Sequence, residues 1–404
     1  MSPGFLSDKT IATMQKSSSP ETLLILSFSG GGARAAALAY GVLEELNQKK
    51  LLDEVDVISS VSGGSFTAAY FGLHGQGIFQ DFERVFLRKN FETPLIKSLL
   101  NPFAWFSSTG RTEQAVRLYE KTVFKDATFA DIEKTGGPVI LINATDLNDG
   151  VRFSFTQEYF NTLCSDIDSY PVARAVTASS AVPVVFHPVV LKNYHCNQET
   201  PQWLAVAEER FSKNAVMLNA VTRLKKYYNQ SNRDYIHFVD GGIADNLGLR
   251  AIYEYIEFGG GIKQVNRKAD HKAVKRIVII SVDAFANSNR SMDKSNKQPG
   301  LDEVISAVSD IQVRQQNAST LHLIEHSIKS WAKGLSTDNH VVKPYYIQLN
   351  LQQIHERRER DYLNSIPTSL SLNDEQVDAL IDAGHQLLRS NDVFQDLLGH
   401  MVDQ

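Results

Sequence analysis

The stretch Val55-Asp56-Val57-Ile58-Ser59-Ser60-Val61-Ser62-Gly63-Gly64-Ser65 decides the fold. A β-branched apolar run enters a cluster of the smallest side chains, and a helical pattern resumes at once, from about Ser65 to Leu73. A strand that turns this sharply into a helix holds the side chain at the turn out above the sheet edge. Only small neighbours allow it, because the backbone at the tip is strained and its flanks pack closely. The pattern is that of a nucleophile elbow, with Ser62 as the exposed hydroxyl. A Ser/Gly loop joining strand to helix is the plainer account of the same residues.

The surroundings repeat the alternation of strand and helix. Leu23–Ser29 is a short apolar run bounded by Gly30, as expected for a buried parallel strand, and Ala33–Asn47 is helical with Leu38, Val42 and Leu46 on one face. Further strands are predicted at Pro138–Ala144, Val151–Thr156, Tyr235–Val239, Arg276–Val282 and Tyr345–Leu351. Helical stretches are expected over 79–90 and 111–124, from Pro171 to just before Pro183, and along a long amphipathic segment Trp203–Tyr228. Asn373 with Gln376 forms a capping box that opens the last helix. The fold class is therefore α/β, with a mostly parallel central sheet covered by helices on both faces. One catalytic domain is expected over 23–285 with a helical insertion at about 195–230. Residues 1–22 read as a polar, poorly ordered lead-in, and 286–404 as a helix-rich C-terminal extension packed on the same domain.

Composition narrows the function. A chain of 404 residues with 43% hydrophobic and 22% charged residues can bury a large core. The formal net charge of −5 argues against a general nucleic-acid binder. No apolar run reaches the roughly 18–20 residues of a membrane span. The first residues lack the basic start and apolar stretch of a signal peptide. Cys164 and Cys196 are too few for a disulfide framework or a cysteine-rich zinc site; whether they pair, and in which compartment the chain works, stays open.

The first strand ends in Gly30-Gly31-Gly32-Ala33-Arg34 and runs straight into a helix. Successive backbone N–H groups at a helix N-terminus can hold an anion. Gly30-x-Gly32-x-x-Ala35 is a loose dinucleotide fingerprint, but the acidic residue wanted about 20 positions on, at the end of the next strand, is missing. A tetrahedral oxyanion beside Ser62 is the better occupant. The serine also needs a base. The histidines after Asp240 stand in no loop with evident positioning chemistry, whereas Asp240 ends a strand and is followed by Gly241-Gly242, a tight turn beside which a partly desolvated carboxylate can take the serine proton directly. A turn-forming Asp-Gly is the plainer alternative.

Four blocks in this order carry a resemblance: Gly30-Gly31-Gly32-Ala33-Arg34, the elbow around Ser62, Ala178-Ser179-Ser180-Ala181-Val182-Pro183-Val184-Val185-Phe186-His187-Pro188, and Asp240-Gly241-Gly242. Over about residues 23–285 the chain resembles the patatin-like phospholipases, acyl hydrolases with a Ser–Asp dyad and a three-layer α/β fold. The resemblance implies Ser62 as nucleophile, Asp240 as base, and Gly30, Gly31, Gly32 and Arg34 as the oxyanion hole. Arg34 would orient that loop or meet an anionic head group. No cofactor and no metal are implied. One departure stands out: the elbow's first glycine is Ser60 here, which leaves Ser60 and Ser65 as decoy hydroxyls. The expected activity is hydrolysis of carboxylic esters in phospholipids or related acyl lipids through an acyl-enzyme. The alternative is a catalytically silent lipid- or nucleotide-binding protein on the same fold. A lipid or acyl-ester substrate and peripheral membrane contact are the expected partners. For membrane or acyl-chain contact the candidates are the Trp203–Tyr228 helix as a lid or interfacial helix, the apolar stretch Phe91–Phe106, and the basic run Lys263, Arg267, Lys268, Lys272, Lys275, Arg276. Core packing and a solvated loop are the plainer accounts of the helix and the basic run.

Overall fold

In the computed structural model, the described residues are 4–16, 21–93, 110–183, 185–194, 200–229, 233–270, 274–286, 296, 298 and 300–402. Two runs buried along their whole length, Thr22–Phe28 (β1) and Val55–Val61 (β2), lie side by side in parallel, with Ser27 opposite Ser59 and Phe28 opposite Ser60. Strands covered on both faces read as continuous apolar runs rather than alternating ones, which is why the sequence pattern is so clear here. Val139–Asp146 (β3) continues the parallel sheet beyond β2. On the other side Arg276–Asp283 (β7) and Lys343–Asn350 (β8) extend it beyond β1. Val151–Phe155 (β4) pairs back onto β3, while Val189–Lys192 (β5) and Tyr235–Val239 (β6) close the far edge in antiparallel sense. The order across the sheet is β5-β6-β3-β2-β1-β7-β8, with β4 also on β3.

Helices cover both faces, and the period-2 alternation of β1 and β2 shows how. The hydroxyls of Ser27 and Ser59 reach the carbonyls of Leu247 and Gly248, so the turn into the helix Leu249–Phe258 lies on their face. The helix Gly63–His74 (α3) lies on the opposite face; a methyl group on Gly64 would come within 2.7 Å of Phe28 Cβ. The alanine-rich helix Gly32–Gln48 (α2) crosses Asp374–Arg389 at backbone range. A methyl on Gly41 would sit 2.2 Å from the Ile381 carbonyl oxygen, and one on Gly384 2.6 Å from that of Leu38. The C-terminal residues thus complete both the sheet, through β8, and the layer over it.

Several expectations change. The lead-in carries a helix, Asp8–Met14, capped by the Ser7 hydroxyl, and Phe5 packs edge-on against Tyr159, Trp203, Tyr255 and Phe258. Burial of one aromatic and two flanking apolar side chains, Leu6 and Met14, fixes a segment whose composition is polar. Trp203–Tyr228 is two helices, Gln202–Arg210 and Ala215–Asn229; Asn214 breaks the run by accepting the Met217 N–H on its side chain. The capping box at Asn373 and Gln376 forms as expected, but a further helix, Asp392–Val402, follows. Cys164 is disulfide-bonded, and Cys196 lies outside the described residues. Among the described residues no helix is long and apolar enough to cross a membrane.

Candidate active site

Ser62 stands at the junction of β2 and α3 with φ 50° and ψ −119°. A side-chain-bearing residue adopts positive φ only under constraint, at a cost of roughly 1–3 kcal/mol. Gly63 and Gly64 make the constraint possible. A methyl on Gly63 would lie 1.9 Å from the Gly32 carbonyl oxygen, and one on Gly64 would lie 2.7 Å from that of Ser29. Ser60, the departure from the usual elbow, lies within β2 before the turn, and its buried hydroxyl donates to the Leu141 carbonyl at 3.2 Å. Glycine is therefore not required there. Ser65 is fully buried and bonded to Ser179, so neither decoy hydroxyl reaches the Asp240 carboxylate. Ser62 is itself only 6% exposed, lying beneath a cavity rather than standing in open solvent.

The strand direction brings Asp240 to it. Val61, the last residue of β2, pairs with Asn143, so Ala144–Asp146 of β3 overhang the sheet edge. β6 runs back antiparallel along that overhang, Asp146 opposite Phe238 and Thr145 opposite Val239, and ends at Val239, immediately before Asp240. Ser62 Oγ donates to Asp240 Oδ2 at 2.8 Å, while Oδ1 accepts the Gly242 N–H at 2.8 Å. The Asp240 backbone is held on both sides, its N–H by the Ala181 carbonyl at 2.9 Å and its carbonyl by the Thr145 hydroxyl at 2.8 Å. Burial pushes the Asp240 carboxyl up to about 6, against the pull of its hydrogen bonds from Gly242 and Ser62. At neutral pH it is an ionised, poorly solvated acceptor in contact with a hydroxyl.

Of the glycine-rich block, the Gly30 N–H is engaged by the Asn246 carbonyl at 3.0 Å, and the Ala33 N–H by the Ser369 carbonyl at 2.8 Å. Gly31 and Gly32, with φ of 142° and 63°, lie between those two bonds. Arg34 turns to the protein's own oxygens. Its guanidinium is buried and donates to the carbonyls of Ala284 at 2.9 Å and Ile366 at 2.5 Å, and to the Thr368 hydroxyl at 2.9 Å. Burial lowers its pKa to about 10, and the carboxylates of Asp283 and Asp310 oppose that shift. It ties the glycine loop to the loop after β7 and to the segment Ile366–Leu370.

That segment is the part sequence reasoning missed. Ser62 opens into a cavity of about 340 Å³ walled by Phe66, Phe86, Val182, Phe186 and Leu370, with Glu92 and Arg111 the charged residues among the described lining. Thr368 and Ser369 also line it, more than 300 positions along the chain from Ser62. Of the proline-containing block, Ser180, Val182, Val185 and Phe186 contribute walls; Val184 lies outside the described residues. Among the described lining residues there is no histidine and none from Gln202–Asn229, whose buried Met217, Val221, Leu224 and Tyr227 belong to the core. In the Phe91–Phe106 stretch, Phe91 is buried against Phe86 and Tyr119, and residues 94–106 lie outside the described ones. In the basic run Arg276 is buried, bonded to Thr22 and His400, and Lys275 pairs with Glu21; Lys272 is not among the described residues. Among the described residues no cluster of three or more His, Cys, Asp or Glu side chains is placed to hold a metal ion.

Ser62 and Asp240 thus meet over the edge of a mostly parallel α/β sheet, beneath an apolar cavity. The chain matches the family of patatin-like phospholipases over residues 26–253, more than half its length, and belongs to it. Human GIVD cytosolic phospholipase A2 superposes with a TM-score of 0.50 at 12% identity, covering 97% of this chain and 62% of that one. The same human protein in complex with methyl gamma-linolenyl fluorophosphonate gives 0.43 at 12% identity, over 98% and 62%. VipD from Legionella pneumophila gives 0.32 at 13%, over 95% and 68%. The chain thus spans less than two thirds of the human enzyme's length, and at 12% identity the match with a TM-score of 0.50 is a likeness of fold. No curated protein sequence matches the chain significantly.

Proposed function

We propose that this protein cleaves carboxylic esters of phospholipids or related acyl lipids, with Ser62 as nucleophile and Asp240 as its base. The observation that carries the reading is the 2.8 Å hydrogen bond from Ser62 Oγ to Asp240 Oδ2 at the floor of an apolar cavity. Asp240 takes the hydroxyl proton as Ser62 Oγ bonds to the ester carbonyl carbon. The carbon–oxygen bond to the alcohol then breaks, and the alcohol leaves with that proton. Water attacks the acyl-enzyme in the same way, giving its proton to Asp240 and releasing the fatty acid while Ser62 Oγ regains a hydrogen. The N–H groups of Gly31 and Gly32, lying between the two engaged ones, are the oxyanion donors in this reading; removing one such donor costs roughly 10²–10³ in rate. The acyl chain lies between Phe66, Phe86 and Leu370, and the exposed Val182 and Val185 give the mouth an apolar rim suited to lipid entering from a surface.

A serine-directed fluorophosphonate tests the reading. Covalent labelling is expected on the native chain and on Ser60→Ala, and is expected to vanish in Ser62→Ala. A folded native chain that takes up no label, or Asp240→Asn hydrolysing esters at the full rate, overturns it.

A further inference from the structure

Between the serine and the aspartate runs a short segment that touches both. The Ser62 N–H donates to Ser179 Oγ at 2.8 Å, and the Gly241 N–H donates to the Ser179 carbonyl at 3.0 Å. Two residues on, the Ala181 carbonyl holds the Asp240 N–H. A hydroxyl has one proton and two lone pairs. That of Ser179 gives its proton to the Asn143 carbonyl at 2.6 Å, so the Ser62 N–H and the Ser65 hydroxyl, 3.0 Å away, supply the other two bonds. All three capacities are used on a fully buried side chain, which leaves Ser179 no proton or lone pair for chemistry of its own.

We propose that Ser179 is a positioning residue that sets the distance between Ser62 Oγ and Asp240, through its hydroxyl on the nucleophile's N–H and its carbonyl on the turn that follows the base. The proposal rests on the dyad reading above. Ser62 has positive φ, and such a conformation persists only where its surroundings over-determine it. The glycines that make the turn possible exclude steric clash but do not pull on it; the hydrogen bond to Ser179 does. The same side chain is anchored through Asn143, whose amide oxygen accepts from Arg152 and Ser154 and whose amide nitrogen reaches Ser59 and the Ser60 carbonyl. Anchoring is thus continuous from a buried network beneath the sheet edge to the nucleophile's backbone. Misplacing a reacting atom by about 1 Å can cost roughly 10²-fold in rate.

The test compares Ser179→Ala, Ser179→Thr and Ser65→Ala by fluorophosphonate labelling rate and by kcat and KM on a soluble ester. Ser179→Ala is expected to lower the labelling rate and kcat by about 10–100-fold with KM within about 2-fold, because the cavity walls are untouched. Ser179→Thr, which keeps the hydroxyl, is expected to recover most of the labelling rate, and Ser65→Ala to stay near wild type. A folded Ser179→Ala chain with unchanged labelling and kcat overturns the proposal. So does a loss in Ser179→Ala and Ser179→Thr alike that follows the fall in Tm. A native chain that takes up no label overturns the dyad reading, and this proposal falls with it.

Discussion

Ser62 Oγ lies 2.8 Å from Asp240 Oδ2 although 178 positions separate the two residues in the chain. The approach depends on β6 turning back along the overhang of β3, and it leaves the carboxylate buried with hydrogen bonds from Ser62 and Gly242.

The pH dependence of activity follows from that environment. Asp240 must be ionised to accept a proton, and burial raises its carboxyl to about 6. On the dyad reading, kcat/KM is expected to be level above pH 7 and to fall tenfold per unit well below 6. A pH–rate profile on a soluble ester checks this. A descending limb near 4 would mean a solvated carboxylate.

Stability should move the other way. Because the folded carboxyl titrates near 6 and the reference value is 3.8, the native state holds a proton between those pH values that the unfolded chain has released. Stability from this group is therefore present at low pH and declines as pH rises from about 4 to 6, by up to about 3 kcal/mol. Asp240→Asn is expected to be inactive, more stable than the native chain at pH 8, and little changed at pH 4. Denaturant melts at the two pH values measure the difference.

The glycines of the elbow are not equivalent to those of open turns. Gly63→Ala places a methyl 1.9 Å from the Gly32 carbonyl oxygen, a backbone atom that cannot swing aside, so the glycine loop and Ser62 must shift. A loss of at least about 10²-fold in ester hydrolysis is expected. Gly150→Ala has φ of 63° but no atom within 4 Å of the new methyl, so it bears backbone strain of about 1–2 kcal/mol and keeps its activity. Parallel assays and melts of the two variants separate packing from strain.

Arg34 braces loops and does not face the cavity. Arg34→Lys keeps the charge but cannot reproduce a planar fork on three acceptors, each such charged hydrogen bond being worth about 1.5–3 kcal/mol. The variant is expected to melt several degrees lower while its ratio of rates on anionic and zwitterionic lipid esters stays at the native value. A changed ratio would give Arg34 the head-group role instead.

Much of the site was legible because tight backbone approaches leave a mark in residue type. A strand bringing its helix against a neighbouring loop demands glycine at 63 and 64, and a loop stacked on the Ser369 backbone demands it at 32, where a methyl would lie 2.3 Å from that carbonyl oxygen. For Arg34 the sequence left two roles open, orienting the glycine loop or meeting an anionic head group, and could not name its partners; these are Ala284, Ile366 and Thr368. Ser179 stood in one of the four blocks behind the resemblance, but its bond to Ser62 was not legible, since a serine among serines and alanines carries no periodic or spacing signal of its partner.

By itself the sequence determined the sheet's buried strands, the elbow at Ser62 and the pairing of that serine with Asp240 as candidates, because burial on both faces and steric exclusion act on neighbouring residues. Only the tertiary structure decided the reversed direction of β6, the cover of the cavity by Thr368–Leu370, the hydrogen-bond partners of Arg34, and the hydrogen bond from Ser62 to Ser179. Each of these depends on where distant segments meet, and a hydrogen bond between residues far apart in the chain has no preferred spacing in sequence to announce it.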